Sequence, residues 1–102
     1  MTRKSSRSTA TVINGVLYTE DSFTGTRVGS DEWFEVIASG KTFYFDDIDD
    51  IGFTVRSEKR RQGLSWYAFK RKAGKLHKVY VGRSVAINLT RLREVALLLF
   101  ED

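Results

Sequence analysis

Between Arg56 and Arg83 the chain carries ten Lys or Arg residues against a single acid, Glu58, with aromatic residues set among them. The cations Arg56, Lys59, Arg60, Arg61, Lys70, Lys72, Lys75, Lys78 and Arg83, with the rings of Trp66 and Tyr80, are the candidate binding residues. Cations neutralise phosphates, and flat rings stack on bases or pack on sugars, so the chemistry implied is recognition of a nucleic acid. Bond-making chemistry is poorly provided for. His77 is the only histidine, cysteine is absent, and there is no phosphate-cradling glycine motif or serine in a nucleophile setting. No catalytic residue, metal site or cofactor is therefore expected, and the chain is read as a non-enzyme. The competing enzyme reading is a nuclease built on Asp46, Asp47, Asp49, Asp50 and a lysine. That acidic run lacks the oxygen-ligand spacing and distal Glu of a calcium loop, so a solvated acidic turn is expected instead.

The basic stretch needs a scaffold that presents its cations together. Ser65–Lys70 is rich in aromatic residues, which favours strand over helix, and Lys72-Ala-Gly-Lys75 is a short glycine-containing turn into a further strand, Lys75–Gly82. With Gly52–Lys59 as the preceding strand, joined through Arg60–Gly63, the prediction is a three-stranded antiparallel meander. Alternation along strands assigns Phe53, Val55, Tyr67, Phe69, Val79 and Val81 to an apolar face suited to a core. Thr54, Arg56, Glu58, Trp66, Ala68, Lys70, Lys72, Leu76, Lys78 and Tyr80 form the other, cationic face. A solvated sheet face would account for the lysines. Large rings among them favour a binding surface.

The remaining chain supplies a frame. Residues 1–10 are polar and basic with nothing to bury, and read as a flexible arm; residues 11–102 read as one domain. Asn14-Gly15 between apolar residues predicts a short hairpin, and residues 19–30 read as loop. Ser30–Gly40 predicts a helix, with Ser30 as cap, Asp31 and Glu32 in the first turn, Gly40 as the stop, and Trp33, Phe34 and Ile37 facing the core. A strand follows at Lys41–Phe45. Thr90–Asp102 predicts a second helix capped by Thr90, with Leu89, Leu92, Val95, Ala96 and Leu99 as its apolar stripe. The expected fold class is α+β: a three-stranded antiparallel sheet packed on the C-terminal helix, preceded by a short hairpin, a short helix and a strand. Leu97, Leu98 and Phe100 widen the stripe, to pack on the first helix or to form a dimer contact.

At 102 residues the chain can bury one core without metal or disulfide staples. The net charge of +4 conceals an asymmetry: residues 1–50 hold five cations and nine acids (5 − 9 = −4), residues 51–102 twelve and four (12 − 4 = +8). Such a field turns the basic part toward a polyanion. The absence of cysteine, of a secretory signal and of any membrane-length apolar run makes the cytoplasm the expected location and a membrane partner unexpected.

The segments Phe53–Arg60, Trp66-Tyr-Ala-Phe-Lys-Arg-Lys-Ala-Gly-Lys-Leu-His-Lys-Val-Tyr-Val-Gly-Arg83 and Leu89-Thr-Arg-Leu92 resemble a bacterial module of pattern WYAY, GKLxKxYLG and LTxxRL. That module occurs in the amino-terminal part of some LuxR-type transcriptional regulators and in small stand-alone proteins of mobile-element-rich bacteria, and the likeness covers residues 31–97. More distantly, the strand-strand-strand-helix order is similar to the plant ethylene-response-factor domain and the arm-binding domains of tyrosine integrases, which lay a sheet in the DNA major groove. This resemblance implies a reading role for Arg56, Trp66, Lys70, Lys78 and Tyr80. It departs at the first strand, which has one Arg rather than an arginine-rich run, and residues 1–50 have no counterpart. The expected function is a DNA-binding module of a regulator or mobile element, docking its basic sheet face on double-stranded DNA. The alternative is an interaction protein that presents the same face to an acidic protein or to RNA.

Overall fold

In the computed structural model, which describes residues 10–19, 22–48 and 51–100, the chain folds as an α+β domain around one mixed sheet. Its strands are β1 (Ala10–Ile13), β2 (Val16–Thr19), β3 (Ser22–Arg27), β4 (Phe43–Ile48), β5 (Ile51–Arg60), β6 (Gly63–Lys72) and β7 (Lys75–Arg83). The helices are α1 (Asp31–Ala38) and α2 (Leu89–Phe100). The sheet order is β3-β2-β1-β4-β5-β6-β7, antiparallel throughout except for the parallel β1–β4 pair. The expected meander is thus present as β5–β6–β7, but as one wing of a seven-stranded sheet rather than a sheet of its own. Of the expected flexible arm, all but Ala10 lies outside the described residues, as do Asp49 and Asp50.

Local chemistry accounts for most element boundaries. Asn14 and Gly15 take φ of 53° and 81°, the paired positive values of a type I′ turn, and they close the β1–β2 hairpin. Ala73 and Gly74 do the same between β6 and β7, so an alanine accepts the left-handed position to keep a two-residue turn. Ser30 caps α1 by accepting the Trp33 amide, and the amide of Gly40 returns to the Ile37 carbonyl at the other end. The cap of α2 is Asn88 rather than Thr90: its side-chain oxygen accepts the Arg91 amide, and its carbonyl accepts that of Leu92. Thr90 falls inside the first turn. The region 19–30 is not all loop, because Ser22–Arg27 pairs with β2 as an edge strand.

Both helices contribute to a single core on one face of the sheet. Val12, Leu17, Phe43, Phe45, Phe53, Val55, Trp66, Ala68 and Val81 are buried there beneath Trp33 and Ile37 of α1 and Leu92, Val95, Ala96 and Leu99 of α2. Trp33 meets Phe43 edge-on at 5.4 Å, and Phe43 in turn lies 5.9 Å from Trp66. Each buried indole finds an acceptor: Trp33 Nε1 donates to the Ile87 carbonyl (2.8 Å) and Trp66 Nε1 to Ser84 Oγ (3.0 Å).

This arrangement reverses the expected phase of β6. Two-residue turns pair an odd-numbered residue with an even-numbered one, giving Val55↔Ala68 and Ala68↔Val79. Trp66 and Ala68 therefore share the core side with Val55, and Tyr67 and Phe69 stand on the opposite face with Arg56 and Lys78. Leu97 and Leu98, expected to pack on α1 or to form a dimer contact, are 56% and 51% exposed; the Phe100 side chain lies outside the described residues.

Candidate nucleic-acid interface

The face of the sheet away from the helices is open, and on β5–β7 it carries Thr54, Arg56 and Glu58, then Tyr67, Phe69 and Arg71, then Leu76, Lys78 and Tyr80. Cross-strand register makes these residues neighbours: Arg56 stands opposite Tyr67, Tyr67 opposite Tyr80, and Phe69 opposite Lys78. The cations lie against the rings. Lys78 Nζ is 4.3 Å from the centroid of Tyr67 and 5.6 Å from that of Phe69; the Arg56 guanidinium is 5.3 Å from Phe69, and that of Arg60 is 5.7 Å from Tyr67. Tyr67 and Tyr80 pack at 5.4 Å with their planes tilted by 58°.

Glu58 is the acid within this cluster. It accepts from Arg60 and from Lys78 (3.1 Å), and Arg60 also donates to the Tyr67 hydroxyl (3.1 Å). The Tyr67 hydroxyl first, and then Glu58, hold the Arg60 guanidinium even more firmly protonated than usual. The arrangement is a set of positive heads laid on π-faces, each positioned by a strand rather than by a loop.

The expected binding residues divide between the two sides of the sheet. Arg56, Arg60, Lys78 and Tyr80 stand on the open face, and Tyr80 is 46% exposed. Trp66 does not: it is fully buried beneath the sheet, and no ligand reaches it. Lys70 and Lys72 also leave the cationic face, since they share the side of Trp66 and Ala68. Lys70 donates to the Gly52 carbonyl (2.9 Å), and Lys72 donates to the carbonyl of Leu99, where a cation complements the negative end of α2. Lys59 and Arg61 line an open cleft of about 700 Å³ with Ala38–Gly40, Ser57 and Leu64, beyond the end of α1. Lys75 closes the β6–β7 turn opposite Lys72, and Arg83 donates to the Gln62 carbonyl (2.6 Å), tying β7 to the β5–β6 turn.

The rings that do lie among the cations are Tyr67 and Phe69, whose apolar character alone suggests the core. The signal that places them correctly is the length of the turns at either end of β6. His77 is half-buried opposite Lys70 on the covered side. Among the described residues no group of three or more His, Cys, Asp or Glu is arranged to hold a metal ion.

No family model, curated protein or solved structure matches this chain. Among the described residues no helix is long and apolar enough to cross a membrane.

Proposed function

We propose that this protein is a nucleic-acid-binding module that meets its ligand with the open face of β5–β7. The observation that carries the reading is the placement of Arg56, Arg60 and Lys78 against the rings of Tyr67 and Phe69 on one unroofed surface. Phosphates are neutralised by the cation heads, and sugars and bases pack on Tyr80 and on the ring surfaces that those heads vacate. Duplex DNA is the form suggested by the resemblance to sheet readers of the major groove. With Trp66, Lys70 and Lys72 under the sheet, that mode falls to Lys78, Tyr80 and Arg71 on the β6–β7 edge. A role in a transcriptional regulator or mobile element follows from the same resemblance, and a dimer through Leu97 and Leu98 would present two such faces.

A second reading has its own support. The Glu58 carboxylate already sits between Arg60 and Lys78, so an acidic protein segment could occupy the cluster in its place. Salt titration separates the two. Binding to nucleic acid is expected to weaken linearly in log–log form with salt, and Lys78→Ala to lower affinity and reduce that slope by about one. Failure to bind duplex, single strand or RNA at low salt would overturn the nucleic-acid reading and leave the acidic partner.

A further inference from the structure

The open face continues beyond the cationic wing. Register carries one row across the sheet: Lys78 on β7, Phe69 on β6, Thr54 on β5, Tyr44 on β4, Thr11 on β1 and Tyr18 on β2. Tyr44 and Tyr18 are 36% and 40% exposed. Each leans onto a glycine of the neighbouring strand. The Tyr44 ring and hydroxyl occupy the space where a Gly52 side chain would stand, while at Gly25 Val16 takes that space and the edge of Tyr18 lies close beside it. Charge is graded along the same row, with the cation–ring cluster at the β7 end and the tyrosines at the other. Asp46, two residues beyond Tyr44 on the same face, repels phosphate from that rim and leaves the Arg56 side as the route for a backbone.

We infer that the ligand is a single strand of DNA or RNA laid across the β-strands. Its phosphates lie at Arg56 and Lys78, and its bases stack on Tyr44 and Tyr18. This rests on the reading of the open face as a nucleic-acid surface, and it names the form of nucleic acid that surface takes. Width is the deciding quantity. Neighbouring strands lie about 4.8 Å apart, so seven strands span roughly 29 Å between their outer members. The major groove is about 12 Å wide and admits a helix or a two-stranded ribbon, so a duplex reaches only the β6–β7 edge and leaves Tyr44 and Tyr18 empty. A single strand has splayed bases that reach all of the row, and stacking on rings is indifferent to sequence.

The test is fluorescence anisotropy with three labelled probes at matched salt: an oligothymidylate of about eight nucleotides, an oligouridylate of the same length, and a duplex of similar charge. The intact chain is expected to bind the single strands at least about tenfold more tightly than the duplex. Tyr44→Ala and Tyr18→Ala are each expected to weaken single-strand binding about fivefold or more without changing its salt slope. Tyr44→Leu keeps apolar bulk over Gly52 and is expected to lose the same affinity with its thermal melt intact, which separates stacking from folding. The two single-strand arms distinguish DNA from RNA. Preference for the duplex, or unchanged single-strand binding in both tyrosine variants while Lys78→Ala still weakens it, would overturn the cross-strand track and keep the general reading. Absence of binding to all three probes would overturn both.

Discussion

The two sides of β6 carry aromatic residues of similar size and put them to opposite uses. Trp66 and Ala68 point into the core, where the indole is enclosed and its N–H is bonded to Ser84. Tyr67 and Phe69, one residue along, point to the open side, where cations lie on their faces. The same division separates the lysines. Lys72 reaches under the sheet to the end of α2, whereas Lys78 remains over the rings. Residue type therefore says little about role in this strand; the parity of the position decides it.

The contrast breaks most visibly at the tryptophan. Trp66→Ala removes a fully buried ring and is expected to cost about 3–5 kcal/mol of folding stability, read as a lower denaturation midpoint. Tyr67→Ala should leave the fold largely intact yet lose about 1–3 kcal/mol of nucleic-acid affinity, since ring contacts on bases have that size. If the two variants destabilised the chain equally, the sides of β6 would not differ as described.

The lysines sharpen the same point with smaller effects. Lys72→Ala is expected to lower stability by about 0.3–1 kcal/mol through loss of the cation at the end of α2, with an unchanged salt slope for binding. Lys78→Ala should behave conversely. Glu58→Gln frees Arg60 and Lys78 from their internal carboxylate, so nucleic-acid affinity should rise by up to about 1 kcal/mol at low salt and the gain should fade as salt increases. An acidic protein partner would gain in the same variant, so the sign tests the site and the salt series on each ligand tests its identity.

A last and smallest effect concerns the other wing. Burial first, and then the neighbouring Asp46, raise the pKa of the Tyr44 hydroxyl above its ordinary value of 10.0. The folded state thus holds that proton more tightly than the unfolded chain does. Its contribution to stability is complete below the ordinary tyrosine range and is lost as pH rises through that range toward the folded value. Tyr44→Phe should remove this part of the alkaline decline in stability, measured by denaturant unfolding at a series of pH values.

Much of this was legible beforehand. The Asn14-Gly15 turn, the Ser30 cap, the stop at Gly40, the three long basic strands and the α2 stripe follow from local chemistry that nothing in the tertiary structure overrides. The joining of β1–β3 to the basic meander was not legible, because the parallel β1–β4 contact brings together segments some thirty residues apart and leaves no local mark. Of the candidate residues, charge and alternation put Arg56, Lys78 and Tyr80 on one face, as the register does, whereas Trp66 does not join them because apolar character suggests the wrong phase for β6. Tyr67 and Phe69 look like core residues by type, and only the paired turns at Arg60–Gly63 and Lys72–Lys75 reveal that they are not.

The most direct measurement is a two-dimensional NMR titration of the labelled protein with a short single strand, following backbone amides and aromatic side chains together. Shifts should concentrate at Arg56, Tyr67, Phe69, Lys78 and Tyr80, extend to Tyr44 and Tyr18, and spare the Trp33 and Trp66 indoles. Perturbation confined to α2 and its exposed Leu97 and Leu98, or no perturbation at all at low salt, would contradict a nucleic-acid role for the open face.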